Sequence, residues 1–382
     1  MKLETFTYRA NASWSVDGFP ALDSDQTLVL VFGAPRWGEV NEPLLQLASA
    51  YPSSHIVGCS TAGEIFGDEL TDESLSVAVA QFGAGSRVAT ASARVASPDE
   101  SFAAGESIAR QLDDPALRGV LLLSDGLNVN GSELVRGINS VLHERVVVTG
   151  GLAAGGPRFQ RTWVIYKGRP HTNLVCAAGL YGERLSIGHG SRGGWDNFGP
   201  ERLVTRAHAN VLYELDGRPA LELYKEYLGD LASGLPATGL LFPLALRTHA
   251  DDDKSLVRTI LAVDEATQSM TFAGDVPTGS LVRLMRANFD RLIDGASAAA
   301  ALAARPDEGE TLAIAISCVG RRLVLGERAE EEIEATLEAL PAGTRQVGFY
   351  SYGEISPYGQ GSCDLHNQTM TLTTIRELPA AA

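Results

Sequence analysis

An apolar strand, an amphipathic helix and a second apolar strand that runs into a glycine-rich turn recur three times along the chain, and no other feature limits its fold as tightly. The first copy runs from Thr27-Leu-Val-Leu-Val-Phe-Gly33 through a helical stretch around Glu39 to Tyr51 into Ile56-Val-Gly-Cys-Ser-Thr-Ala-Gly63. The second begins at Gly119-Val-Leu-Leu-Leu-Ser-Asp-Gly126, continues through a helix near Ser132 to His143 and closes on Val146-Val-Val-Thr-Gly-Gly-Leu-Ala-Ala-Gly155. The third joins Thr311-Leu-Ala-Ile-Ala-Ile-Ser-Cys-Val-Gly320, a helix from Glu327 to Leu340 and Gln346-Val-Gly-Phe-Tyr-Ser-Tyr-Gly-Glu-Ile355. Segments 57–65 and 347–355 are identical at five of nine positions. Near-continuous apolar strands alternating with helices predict an α/β protein with mixed β-sheets covered by helices.

At 382 residues the chain exceeds what one hydrophobic core usually organises, so two domains are expected. Between the second and third copies, Val211-Leu-Tyr-Glu-Leu-Asp-Gly217 reads as a strand into a turn. Pro219 then opens a helix with Leu221, Tyr224 and Leu228 on one face, and Gly229 ends it. The expected division is an N-terminal extension (1–25), an N-terminal domain (26–217), a C-terminal domain (218–362) and a C-terminal strand and tail (363–382). The run Asp251-Asp252-Asp253-Lys254 reads as a polar loop and Ala296 to Ala304 as an alanine-rich helix, both structural.

The formal net charge of −16 repels phosphate backbones and anionic lipid, and the densest basic group, Arg192 to Arg206, is interrupted by Asp196 and Glu201. Nucleic acid and membrane are therefore not expected partners. Glu4 breaks the opening segment where a secretion signal needs an apolar run, and every apolar run is too short for a membrane span. Cys59, Cys176, Cys318 and Cys363 lie far apart with no CxxC pair, which fits reduced thiols in a cytoplasmic protein.

Glycines at strand ends let backbone N–H groups approach a ligand, although such glycines are ordinarily plain turn residues. Cys59-Ser60-Thr61 offers nucleophiles, yet no base is placed for them, since His55 would lie on the strand itself; no enzyme is expected. Gly188-x-Gly190-x-x-Gly193 fits a dinucleotide pattern, but Gly194-Trp195-Asp196-Asn197-Phe198-Gly199-Pro200 follows where that motif must open a helix. Read as a loop, the same segment sets His189 beside Arg192, Trp195 and Phe198, the surroundings of a haem ligand: an axial donor, flat walls and a cation for propionate. His208 is the second candidate. Cys363-Asp364-Leu365-His366 lacks a second metal-binding cluster, and the absence of CxxCH excludes covalent haem.

Gly58-Cys-Ser-Thr-Ala-Gly-Glu64 and Ser351-Tyr-Gly-Glu-Ile-Ser356, in that order, resemble marks of the N- and C-terminal domains of the FIST family, and Val204-Thr-Arg-Ala-His-Ala-Asn-Val-Leu-Tyr-Glu-Leu-Asp-Gly217 resembles the linker between them. The resemblance implies a small-ligand sensory protein of bacterial signal transduction. Gly190-Ser-Arg-Gly-Gly-Trp-Asp196 and Leu240-Leu-Phe-Pro-Leu244 are similar to a subset, the NosP proteins, that sense nitric oxide through haem and regulate a histidine kinase. The expectation is haem b with His189 as its metal ligand and Arg192, Trp195 and His208 around it; the choice of His189 comes from chemistry, not from the family. The alternative is a non-haem module for amino-acid-like ligands, held at the turns by Gly58, Cys59, Ser60, Gly63, Glu64, Ser351, Tyr352, Gly353 and Glu354, with a carboxylate facing an ammonium group. A homodimer is left open.

Overall fold

The structure, a computed structural model, describes residues 1–9, 13–38, 41–156, 161–248, 255–305, 309–358 and 361–379. All three recurring units form, and in each the two apolar strands lie parallel and adjacent: Thr27–Gly33 with His55–Ser60, Leu117–Ser124 with Val147–Leu152, and Leu312–Cys318 with Arg345–Ser351. Thr27–Gly33 and Leu312–Cys318 are buried at every residue, as strands covered on both faces must be. Helices Glu42–Ala50, Gly131–Asn139 and Ala329–Glu338 make the crossovers, the last preceded by the short helix Val319–Leu325.

Each unit continues into a short hairpin and a long strand that returns antiparallel to the unit's first strand: Ser74–Gln81, Leu174–Tyr181 and Met370–Glu377. The hairpins are exchanged. Glu64–Phe66 of the first unit pairs with Arg345–Ser351 of the third, Val164–Tyr166 of the second with His55–Ser60 of the first, and Gly353–Pro357 of the third with Val147–Leu152 of the second. The outer strands follow the same cycle: Arg87–Arg94 joins the second sheet, Leu185–Arg192 the third, and Lys2–Arg9, within the expected N-terminal extension, completes the first. Three six-stranded sheets result, related by a threefold pseudosymmetry. Their inner faces meet in one core that includes Leu30, Leu123 and Ile316, where the rings of Phe32 and Phe349 stack at 4.8 Å.

Equivalent glycines explain part of the recurrence. A Cβ on Gly58, Gly150 or Gly348 would fall 1.9, 1.8 and 1.8 Å from the carbonyl oxygens of Val31, Leu122 and Ala315 on the neighbouring parallel strand. Just beyond, the three turns lock together: Ala62 N donates to Tyr350 O (2.9 Å), Ala154 N to Ser60 O (2.8 Å) and Tyr352 N to Leu152 O (3.2 Å), a closed ring of bonds around the pseudosymmetry axis.

Residues 196–286 are inserted between strand Leu185–Arg192 and helix Phe289–Ala303 and form an eight-stranded antiparallel sheet with its own core of Leu212, Leu221, Tyr224, Phe272 and Leu284. Helix Ala220–Leu228 starts after Pro219 and ends at Gly229 (φ 56°). The position 217/218 falls inside this sheet, because Val211–Leu215 pairs with Arg218–Pro219. Two of the three core sheets contain strands from both 26–217 and 218–377. The architecture is α/β with mixed sheets built from repeated strand–helix–strand units. The Asp251–Lys254 run lies outside the described residues.

One local expectation is corrected. The glycine-rich segment around His189 is the strand Leu185–Arg192, not a loop. A Cβ on Gly188 would fall 2.0 Å from Ala303 O, and one on Gly190 2.1 Å from Ala299 O. These glycines exist so that the alanine-rich helix Phe289–Ala303 can lie against the strand.

Candidate functional site

Beyond the carboxyl ends of the parallel strands of the second and third units, beneath the inserted sheet, lies a cavity of about 620 Å³. That position is where open α/β sheets commonly take ligands, and the size is ordinary for a small-molecule site. The second unit contributes the segment from Gly126 to Gly131 and Leu152; the third contributes Cys318, Val319, Gly320, Leu323, Tyr352 and Asn367. The insert supplies the opposite wall with Asn210, the segment from Gly234 to Ala237, Leu240, the segment from Thr259 to Leu261 and Phe272. Leu261 and Leu323 are 50% and 51% exposed, so the cavity opens to solvent between the insert and helix Val319–Leu325.

Its chemistry is apolar. Among the described residues, no Asp, Glu, Lys, Arg or His lines it. Most lining polar groups are already engaged: Asn130 Oδ1 caps helix Gly131–Asn139 by accepting from Ser132 N and Glu133 N, Asn210 Nδ2 donates to Phe272 O, and the Tyr352 hydroxyl donates to Gly156 O. Two buried oxygens, Thr259 Oγ1 and Asn367 Oδ1, have no hydrogen-bond partner among the described residues.

The insert is fastened beside the cavity by polar contacts to both units. Asn130 Nδ2 donates to Asp275 Oδ1 (3.1 Å), and Asp275 N to Ser132 Oγ (3.3 Å). The fully buried Arg258 guanidinium donates to Asp275 O and Leu365 O; burial holds it below the usual arginine range, at about 10, while Asp275 and Asp364 offset part of that cost.

Of the nine turn residues expected to hold a ligand, Tyr352 lines the cavity, and the other eight pack in the locking hub. Gly58 serves close backbone approach, Gly63 turns at φ 134° against the Arg322 guanidinium, and Gly353 pairs with Leu152. Cys59, Ser60, Ser351 and Glu354 are wholly buried and Glu64 nearly so. Burial, with Cys176 alongside, pushes the Cys59 thiol well above its ordinary value, so it has neither access nor thiolate character for nucleophilic work. Ser60 Oγ accepts from Trp163 N. The two glutamates, expected to face an ammonium group, instead hold the exchanged hairpins. Glu64 accepts from Thr61 Oγ1, Ser74 N and Ser74 Oγ, and Glu354 from Ser351 Oγ, Thr369 N and Thr369 Oγ1.

The haem grouping does not converge on the cavity. His189 sits on strand Leu185–Arg192 opposite Thr373, its pKa lowered by burial and by Arg305. Arg192 and His208 are exposed, and the buried Trp195 donates its indole N–H to Gln368 O (2.8 Å). Among the described residues, no group of three or more His, Cys, Asp or Glu side chains is arranged to hold a metal ion. No described helix is long and apolar enough to cross a membrane. Thr259 and Asn367 belong to no motif and escaped the sequence reading, whereas the insert-wall residues Asn210 and Leu240 lie in stretches singled out for other reasons, the linker-like 204–217 and the segment 240–244. The signal for the floor was present, since Gly126 and Cys318-Val319-Gly320 lie at the carboxyl ends of the first strands of their units.

The chain is 26% identical over 242 residues to an uncharacterised protein of Methanocaldococcus jannaschii, an alignment covering 55% of this chain and 45% of that protein; the matched region spans less than half the relative's length. Among solved structures, cyanuric acid hydrolase from A. caulinodans aligns over 92% of this chain and 90% of that one at 9% identity, with a TM-score of 0.33, too remote to bear on activity. The FIST N domain model matches residues 27–218 and the FIST C domain model residues 220–357, so the chain belongs to the FIST family, whose domains are small-ligand sensory domains of signal transduction.

Proposed function

We propose that the protein is a non-enzymatic sensor whose small organic ligand occupies the cavity between the inserted sheet and the second and third units. The observation that carries this reading is the cavity itself: mostly apolar, opening to solvent, and walled by two parts of the molecule that a ligand would draw together. The output is a shift in how the insert sits on the core, read by a partner; a histidine kinase is retained as that partner from the family resemblance. Haem in this cavity would ask for an axial donor; no histidine lines it among the described residues, burial keeps the Cys318 thiol from ionising, and the Tyr352 hydroxyl is engaged with Gly156 O. An α-amino acid would ask for counter-charges, which are equally missing from the walls. The ligand proposed is therefore neither.

The test uses thermal unfolding against a small-molecule panel, with the wild type and Ala237→Trp side by side. Ala237 is an exposed residue of the cavity wall, so an indole there narrows the cavity without disturbing the core. Ligands are expected to stabilise the wild type and not the variant. Ligands that stabilise both equally contradict the site. Protein produced with haem supplied is expected to show no stoichiometric Soret band; such a band, lost in His189→Ala, would restore the haem reading.

A further inference from the structure

If the cavity is the sensory site, as proposed above, its two orphaned oxygens define what it takes. Asn367 lies in the turn between strands Cys363–His366 and Met370–Glu377 and is fully buried. Its Nδ2 donates to His366 O at 3.0 Å, while Oδ1 is an acceptor without a donor among the described residues. The pseudosymmetry shows that this burial is particular to the site. The residue after Asn367 turns with a positive φ (Gln368, 58°), as do Glu73 (62°) and Asn173 (54°) in the other units, so Asp72 and Thr172 stand where Asn367 stands, and both are exposed. Only in the third unit does the insert cover the position. Thr259, 5% exposed, joins strands Leu256–Arg258 and Ile260–Asp264 on the insert side, and its hydroxyl is likewise without a partner. A buried acceptor and a buried hydroxyl left unpaired each cost the fold free energy that a ligand's polar head can return.

We propose that the cavity takes an uncharged, largely hydrocarbon molecule with an amide or hydroxyl head, and that Asn367 and Thr259 read that head. The ligand's N–H or O–H donates to Asn367 Oδ1, and Thr259 Oγ1 donates to the ligand's oxygen. A carboxylate fails because it sets an acceptor against the Asn367 acceptor. An ammonium group can donate to both oxygens, but it enters an apolar cavity with no anionic side chain in its wall.

Titration calorimetry of the full chain with octanamide, 1-octanol, octanoate and octylammonium tests this. Octanamide and 1-octanol are expected to bind at least about tenfold more tightly than either ion, and Asn367→Leu and the near-isosteric Thr259→Val are each expected to weaken octanamide about five- to tenfold. Equal binding of either ion, no binding of either neutral probe at millimolar concentration, or full octanamide affinity in a folded Thr259→Val protein overturns the ligand class. Octanamide binding that survives unchanged in Ala237→Trp overturns the cavity as the site, a separate failure.

Discussion

At the scale of single residues, the buried carboxylates have the plainest consequences. Glu64 and Glu354 occupy equivalent places and make equivalent bonds; in the second unit Val164 stands there, and Asp125 takes over by accepting from Thr162 Oγ1 and Asn173 N. Burial raises Glu64 to about 7 and Glu354 to about 8 against an ordinary 4.5. A folded pKa above the unfolded one means that the folded chain binds the proton more tightly. The stability these groups permit is thus present below about pH 4.5 and is lost as pH rises towards 7 and 8, ionised Glu354 costing on the order of 3 to 5 kcal/mol. The melting temperature is expected to fall between pH 5 and pH 9, and Glu354→Gln, whose amide keeps one acceptor for Thr369 and offers a donor to Ser351, to flatten that fall. An unchanged slope in the variant contradicts this assignment. Arg321 makes the opposite case: wholly buried, it donates to Glu332 at 2.9 and 2.7 Å and to Leu292 O at 2.8 Å, while Glu332 also accepts from Tyr350 and Ser317. Arg321→Met strands that carboxylate and is expected to cost about 3 to 5 kcal/mol in urea unfolding, with much of the loss recovered in Arg321→Met/Glu332→Leu.

At the scale of elements, the strands and helices were readable from apolar periodicity, whereas the tasks of particular residues within them were not. The glycines of the recurring turns stood out in the sequence, but whether they faced a ligand or a neighbouring carbonyl depended on strand partners far away in the chain. Gly348→Ala puts a methyl group 1.8 Å from Ala315 O, and the variant is expected to lose several kcal/mol or fail to fold, measured as soluble yield and urea midpoint. His189 illustrates the same limit, because four glycines in the seven residues 188–194 suggest a loop unless the helix that needs them is already in view. The seam between insert and core rests partly on Asn130, which caps helix Gly131–Asn139 and reaches Asp275. Asn130→Ala is expected to cost about 1 kcal/mol through the lost cap and to speed amide exchange across 196–286 more than in the three core sheets. Uniform acceleration throughout would contradict the reading of that seam as a separate joint.

At the scale of the whole molecule, the three units could be counted from the sequence, but the exchange of their hairpins could not. Each hairpin carries only local signals, and the sheet it joins is set by the closed ring of bonds at Ala62, Ala154 and Tyr352. The insert hid for a related reason: its strands continue the chain without a compositional break, and the linker-like stretch lies within its sheet. The cavity arises where that insert covers two of the three units, so no contiguous motif encodes it. The central claim is that a ligand sits there and bridges insert to core. Its most direct test is photolabelling with an aliphatic amide that carries a diazirine, followed by peptide mapping with and without excess octanamide. The expected result is saturable labelling confined to the cavity lining, at 126–131, 234–240, 259–261, 318–323, Tyr352 and Asn367; saturable labelling around 185–192, or at the hub turn 58–64, would contradict the account.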